Sequence, residues 1–266
     1  MIDCKNYVFF LGGKDAEMVR IKEVLQKNKC TFCDKDLSWG AKESDYKDEI
    51  QNVLAKGKTP VFIELASDLS SLDGGISVDH HGERANEPAS ILQVLDLIGV
   101  APTRFDLLIA ANDAGYIPAM QKMGATQQEI DVIRLKDREA QGIMAEQETQ
   151  AEEAIAKMER IGAMLVVRLP HSKSATVTDR LFGKQTKQNV LVLSGDGEVN
   201  YFGAGNICKE LTEKFPGGWS GGAGLGDANG IAYFGGNPNQ DEILSYLRKK
   251  FEIVAGASLA KPRFPL

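Results

Sequence analysis

Three histidines serve the whole 266-residue chain, and two of them are adjacent. Cysteine is nearly as sparse, at Cys4, Cys30, Cys33 and Cys208. Cys30-Thr31-Phe32-Cys33 is a single CxxC with no second pair and no histidine nearby in sequence. That argues against a four-ligand zinc site, and the pair reads as reduced, partly buried thiols. No run approaches the ~18 apolar residues of a membrane span. No long apolar stretch follows Met1-Ile2-Asp3-Cys4-Lys5, as a secretory leader would require, so the expected compartment is the cytoplasm. A basic surplus is missing as well. A net charge of −6 argues against a protein that tracks long duplex DNA or RNA, and suits one that binds cations through carboxylates. No internal repeat is present.

What the chain does contain is ordinary folded-protein composition, 43% hydrophobic and 26% charged, enough for one large or two medium domains. Apolar runs at Tyr7–Leu11, Pro60–Leu65, Ile76–Asp79 and Phe105–Ala110 read as four strands. Helical spacing follows from Asp15 to Asn28, from Tyr46 to Ala55 and from Glu87-Pro88 to Ile98. The alternation predicts an open, mainly parallel, doubly wound α/β sheet over residues 1–125. Residues 126–162 are rich in Ala, Gln, Glu and Lys and open on the capping box Thr126-Gln127-Gln128-Glu129, so they read as a helical connector. Strand-like runs return at Met164–Leu169, Asn189–Ser194, Glu198–Phe202 and Ile231–Phe234. These predict a second, smaller α/β domain over 163–256 that closes a cleft, with a tail over 257–266. Between Pro216 and Gly226 lie six glycines in ten residues, read as a loop whose backbone N–H groups could cradle an anion.

The chemistry concentrates where the first four runs end. Asp15 and Glu17 follow the first, Glu64 the second, Asp79-His80-His81 the third and Asp113 the fourth. Parallel strands present their carboxyl ends at one edge, where ligands sit. Carboxylates gathered there repel one another and resist ionising. Divalent cations would remove the conflict. Hard oxygen donors with one or two imidazoles suit Mn2+ or Mg2+ better than zinc. Two such ions could hold a hydroxide between them and polarise a phosphoryl group.

An Asp-x-Asp-like pair, a second acid, Asp-His-His and a further Asp, in that order, resemble the DHH phosphoesterase superfamily. That group includes RecJ-type exonucleases, phosphatases of short oligonucleotides, cyclic-dinucleotide phosphodiesterases and family II inorganic pyrophosphatases. The second half resembles their DHHA1 domain, with Gly217-Gly218-Trp219-Ser220-Gly221-Gly222 in place of its Gly-Gly-Gly-His loop. The resemblance implies a catalytic Asp79, His80 and His81. It implies two metal ions held by Asp15, Glu17, Glu64, Asp79, His80 and Asp113, with His81 on the substrate phosphate. It also implies substrate contacts from Gly217, Gly218, Ser220, Gly221 and Gly222. Beside it, the basic stretch of Arg168, His171, Lys173, Arg180 and Lys184 reads either as a contact for a substrate's phosphate or base or as a solvated basic patch, and Trp219 as a base-stacking or loop-packing residue.

Three departures qualify the match. Glu17 and Glu64 stand where the family has aspartates, and Ser220 stands where it has histidine. A glutamate carries its carboxylate ~1.3 Å further, in a site of a kind held to about half an ångström. Two readings follow. One is a metal-dependent phosphohydrolase for a small nucleotide, short oligonucleotide or related phosphate compound. The other is a lapsed relative that binds such a ligand as a regulator. A homodimer is compatible with either.

Overall fold

The computed structural model describes residues 4–38, 40–69, 74–182, 189–222 and 224–257. Its contacts divide it into two compact units, Met1–Gly142 and Ile143–Leu266.

The first unit carries a four-stranded, wholly parallel sheet in the order β2-β1-β3-β4. The strands are β1 (Tyr7–Leu11), β2 (Thr31–Asp34), β3 (Thr59–Ile63) and β4 (Ile76–Val78). From β1 the chain crosses by α1 (Ala16–Lys27) to β2 on one side. It then returns by α2 (Lys47–Ala55) to β3 on the other. That reversal puts a topological switch point between β1 and β3, where open α/β sheets bind ligands. The two central strands are buried along nearly their whole length, as a parallel sheet covered on both faces requires. One face packs Val8, Phe10 and Phe62 against Tyr46, Ile50 and Val53. The Tyr46 hydroxyl crosses this core to donate to Leu11 O at 2.7 Å, and accepts from the Lys35 N–H at 3.0 Å.

The structure departs from the sequence pattern in two places. The first concerns residues 29–45, which look polar and mixed yet contain β2. It is an edge strand and needs little burial. The second concerns Phe105–Ala110, which is helix, not strand. After α3 (Ser90–Leu97) the chain runs through α4 (Arg104–Lys122). The apolar run is too dense to show a period, and the deciding signal is its start. Thr103 caps the helix by accepting from the Asp106 N–H at 3.3 Å, while Asp106 accepts from the Thr103 N–H at 2.7 Å. That is a capping box. Asp106 also accepts from Arg20 at 2.7 Å, tying the cap to α1. Thr103→Ala is expected to lower stability by about 1 kcal/mol, read as a shift in denaturant midpoint with an unchanged slope.

The stretch expected to connect the units holds α5 (Gln127–Ala140) and α6 (Ala145–Ala156), parted near Gly142, whose φ of 77° suits glycine. α5 packs on α1 and α4 in the first unit, whereas α6 packs on the strand Met164–Leu169 in the second. The second unit holds a mixed sheet in the order β5-β6-β7-β8-β10-β9. In chain order its elements are β5 (Glu159–Ile161), β6 (Met164–Leu169), α7 (Ala175–Leu181), β7 (Asn189–Ser194), β8 (Val199–Ala204), α8 (Gly205–Lys214), β9 (Trp219–Gly221), β10 (Ile231–Gly236) and α9 (Gln240–Ala257). One core joins Val166, Leu191, Tyr201 and Phe234 to Leu211 and Leu247 of the covering helices. Another joins Leu165, Val167 and Val192 to Ala151 and Val177.

The glycine-rich stretch is not all loop. Trp219–Gly221 forms β9, paired antiparallel with β10. Glycine permits this by its lack of a side chain. A Cβ at Gly235 would lie 2.5 Å from the Trp219 ring, and one at Gly221 would lie 2.6 Å from the Tyr233 hydroxyl. Each aromatic ring lies over the glycine opposite it.

Candidate metal centre

Three of the expected strand ends meet as the parallel sheet requires, and α4 brings in the fourth acid. Asp15 is the N-cap of α1. Its Oδ1 accepts from the Met18 N–H at 2.8 Å, and its Oδ2 is buried without a partner. Glu17, in the first turn of the helix, accepts from the Ile91 N–H at 3.0 Å through Oε1. Glu64 leaves β3 with a left-handed backbone, φ 52°. Such a conformation in a non-glycine residue costs energy and tends to mark functional positions. The turn is held from the β1 side. Gly12 N–H donates to Ile63 O at 2.9 Å, and a Cβ at Gly12 would sit 2.6 Å from Glu64 O. Only glycine allows that approach.

His80 occupies the middle. Its Nε2 lies 2.5 Å from Asp113 Oδ2, 3.4 Å from Glu17 Oε2 and 4.0 Å from Glu64 Oε1. None of these four atoms makes an aligned hydrogen bond, nor does Glu64 Oε2 or Asp15 Oδ2. Buried polar atoms are almost always paired. Atoms crowded in this way, ion-paired through His80 yet short of aligned hydrogen bonds, could hold a cation. One atom each from Glu64, His80, His81 and Asp113 lies within 4.8 Å of all the others. The donor set, carboxylate oxygens with imidazole nitrogen, fits manganese or magnesium.

The protonation of the cluster has the same cause. Burial, followed by the neighbouring Glu17, Asp15 and Asp113 charges, pushes the Glu64 carboxyl up to about 9. Burial also raises Asp15 to about 7. The Met18 N–H works against that rise, while Asp113, Glu17 and Asp137 add to it. The close carboxylates of Asp113 and Glu17 raise the His80 imidazole to about 10 against the effect of its burial. Metal-free, the cluster therefore holds protons where a cation would sit.

Asp79 and His81 stand at the rim. Asp79 Oδ1 accepts from the His81 N–H and lies 2.9 Å from its Nδ1. Burial favours a protonated Asp79, but these His81 bonds win and hold its carboxyl below the usual range. Asp79 thus orients His81, not His80. His81 Nε2 lies 3.8 Å from Asp113 Oδ2, with the side chain 43% exposed. The whole segment is anchored by α3, whose Gln93 side chain donates to Asp79 O at 2.9 Å.

Sequence reasoning missed the contribution of α3. Its Ile91 N–H bonds Glu17, and the Ser90 hydroxyl is fully buried beside Glu64. The signal was a serine at the head of an apolar run, a helix-start mark that was obscured by Glu87-Pro88 just before it.

The residues assigned to substrate in the second unit differ in their commitments. His171 Nδ1 accepts from the Lys173 N–H at 3.2 Å, so its Nε2 is protonated and donates to Gln147 O at 3.1 Å. Arg180 is bound to Glu148 and Glu152 of α6 and to Thr176 O. Arg168 and Lys173 are exposed. Gly217 and Gly218 lie in the turn before β9, Ser220 and Gly221 lie within it, and Gly222 follows with φ 105°. Trp219 is 48% exposed. Lys184 and residues 258–266 of the expected tail lie outside the described residues.

No protein-family model matches the sequence, and no curated protein matches it. Among solved structures, the chain is similar to the pGpG-specific phosphodiesterase PggH from Vibrio cholerae. Identity is 12% over 93% of this chain and 99% of that one, with a TM-score of 0.45. It is also similar to RecJ in complex with Mg2+ from Thermus thermophilus, with 13% identity over 97% of this chain and a TM-score of 0.44. The match spans 50% of that RecJ chain. An uncharacterised protein from Helicobacter pylori matches at 12% identity over 92% of this chain and 98% of its own, with a TM-score of 0.31. Among the described residues, no helix is long and apolar enough to cross a membrane.

Proposed function

We propose that the protein is a metal-dependent phosphoesterase acting on a small nucleotide, a short oligonucleotide or a related phosphate compound. One observation carries the reading: buried atoms of Glu17, Glu64 and Asp113 crowd around His80 Nε2 with no aligned hydrogen bond, and the Asp15 charge lies close enough to raise Glu64. These residues would hold the ions, manganese or magnesium. When bound, such cations polarise a phosphoryl group and bring water close to its deprotonated form at neutral pH.

The protein's own groups do the rest. Asp79 fixes the His81 ring through Nδ1, which leaves Nε2 at the rim to meet a phosphate oxygen. Glu64 and Asp15, whose carboxyls burial raises, would give up protons on binding cations.

The test loads the purified protein with Mn2+ and measures bound metal, melting temperature and turnover of bis(p-nitrophenyl) phosphate, pyrophosphate and a dinucleotide. Manganese uptake, a raised melting temperature and metal-dependent turnover are expected. Protein that retains no manganese and melts unchanged in its presence sinks the proposal. Uptake without turnover on any of the three substrates favours the ligand-binding alternative.

A further inference from the structure

The proposed centre has two limbs that share no strand. One is the β1–α1 junction, with Asp15 and Glu17. The other is α4, with Asp113. A third helix, α5, holds both. Asp137 of α5 is buried, and its Oδ1 accepts from the Ala16 N–H at 3.1 Å. Ala16 stands between the two acids of the first limb, 121 residues away in sequence. Asp137 Oδ2 accepts from Arg134 Nη1 at 2.8 Å and from Gln141 Nε2 at 3.0 Å. The same Nη1 donates to Asn112 Oδ1 at 2.9 Å, and Asn112 is the residue before Asp113. The Arg134 guanidinium also lies 4.5 Å from the Tyr116 ring centroid. Tyr116 and Gly115 are the non-helical residues that break α4 just beyond Asp113, with Tyr116 at φ 59°.

We infer that the buried Asp137–Arg134 pair of α5 is a positioning brace for the metal centre, setting the spacing of Asp15 and Glu17 relative to Asp113. The inference rests on the metal-centre reading above. A buried ion pair is a poor choice for stability alone, because apolar residues of the same volume serve as well or better. What apolar residues cannot do is accept the Ala16 N–H and grip Asn112 at once. Neither Asp137 nor Arg134 is placed to touch a substrate, so both act through the ligands. A different pair of the first unit, Arg20 with the buried Asp106, is a natural control. It secures the start of α4 and bonds to no residue beside a proposed ligand.

The experiment titrates Mn2+ by calorimetry into wild type, Asp137→Asn, the double variant Arg134→Met/Asp137→Leu, and Arg20→Met. Each protein is checked by circular dichroism and studied well below its melting temperature, with the bound-manganese EPR spectrum recorded. Asp137→Asn and the double variant are expected to lose about 10–100-fold in manganese affinity and to change the EPR line shape. Arg20→Met is expected to melt lower and bind manganese as wild type does. Should Asp137→Asn fail to fold, the double variant decides, since it leaves no charge unpaired between the two positions. Folded brace variants with wild-type affinity and spectrum overturn the inference, as does an equal loss in Arg20→Met. Wild-type protein that binds no manganese removes the metal-centre reading itself. That outcome is distinct from one in which wild type and brace variants bind alike.

Discussion

His80→Ala is expected to cut manganese-dependent turnover by at least ~10³-fold, beyond the ~10–100-fold that follows loss of a partner outside the ligand set. His80 is the hub of the cluster, within 4.0 Å of ligand atoms from Glu17, Glu64 and Asp113. Removing it deletes a ligand and leaves the acids with no imidazolium among them. The metal-free variant should therefore melt below wild type at neutral pH, and added Mn2+ should raise its melting temperature little. His81→Ala should separate from it. The variant keeps the buried ligands, so manganese uptake should persist while turnover falls. The pair of readouts, metal content and turnover on bis(p-nitrophenyl) phosphate, distinguishes a ligand from a substrate contact. If His80→Ala binds and turns over as wild type does, the cluster is not the active centre.

The parts of this site that were legible in sequence are those written by local pattern. Apolar runs that stop at Gly12 or at an acid mark β1 and β3 and place Asp15 and Glu64 at one edge. The triplet after β4 needed only the strand before it. Asp113 is legible as a residue, but the helix that carries it is not. A nearly continuous apolar run fits either period, while the Thr103–Asp106 cap that settles the matter starts ahead of it. β2 was missed because an edge strand with exposed ends shows no burial pattern. The partnership of Asp79 with His81 depends on an i to i+2 turn, and the alternative partner is its immediate neighbour, so spacing could not choose. The contacts of Ile91 with Glu17 and of Asp137 with Ala16 span 74 and 121 residues. Only packing brings them together.

Metal-free protein is expected to lose stability as pH rises, and divalent metal to reverse the trend. The sign follows from the direction of each shift. Glu64 ordinarily ionises near 4.5 and is raised to about 9, while Asp15 moves from 3.8 to about 7. Between those limits the unfolded chain has released protons that the folded chain still holds, so stability falls by roughly 1.4 kcal/mol per pH unit for each group acting alone. The groups titrate as a coupled set, so their losses are expected to merge into one continuous decline between about pH 5 and pH 8. His80, raised from 6.5 to about 10, contributes stability that is complete below pH 6.5 and disappears as pH climbs toward 10. Its sign is the same. Mn2+ competes with those protons, so its affinity should rise over the same interval and its entry should release protons to the buffer. Urea midpoints at pH 5, 6.5 and 8, with and without Mn2+, check both halves. Glu64→Gln sharpens the test. It fixes this position in a neutral form, so metal-free Glu64→Gln should be more stable than wild type at pH 8, should show a shallower decline with pH, and should gain little from manganese. A metal-free wild type whose stability is flat or rising from pH 5 to pH 8 would mean that the carboxylates are not held together at the end of β3 in solution.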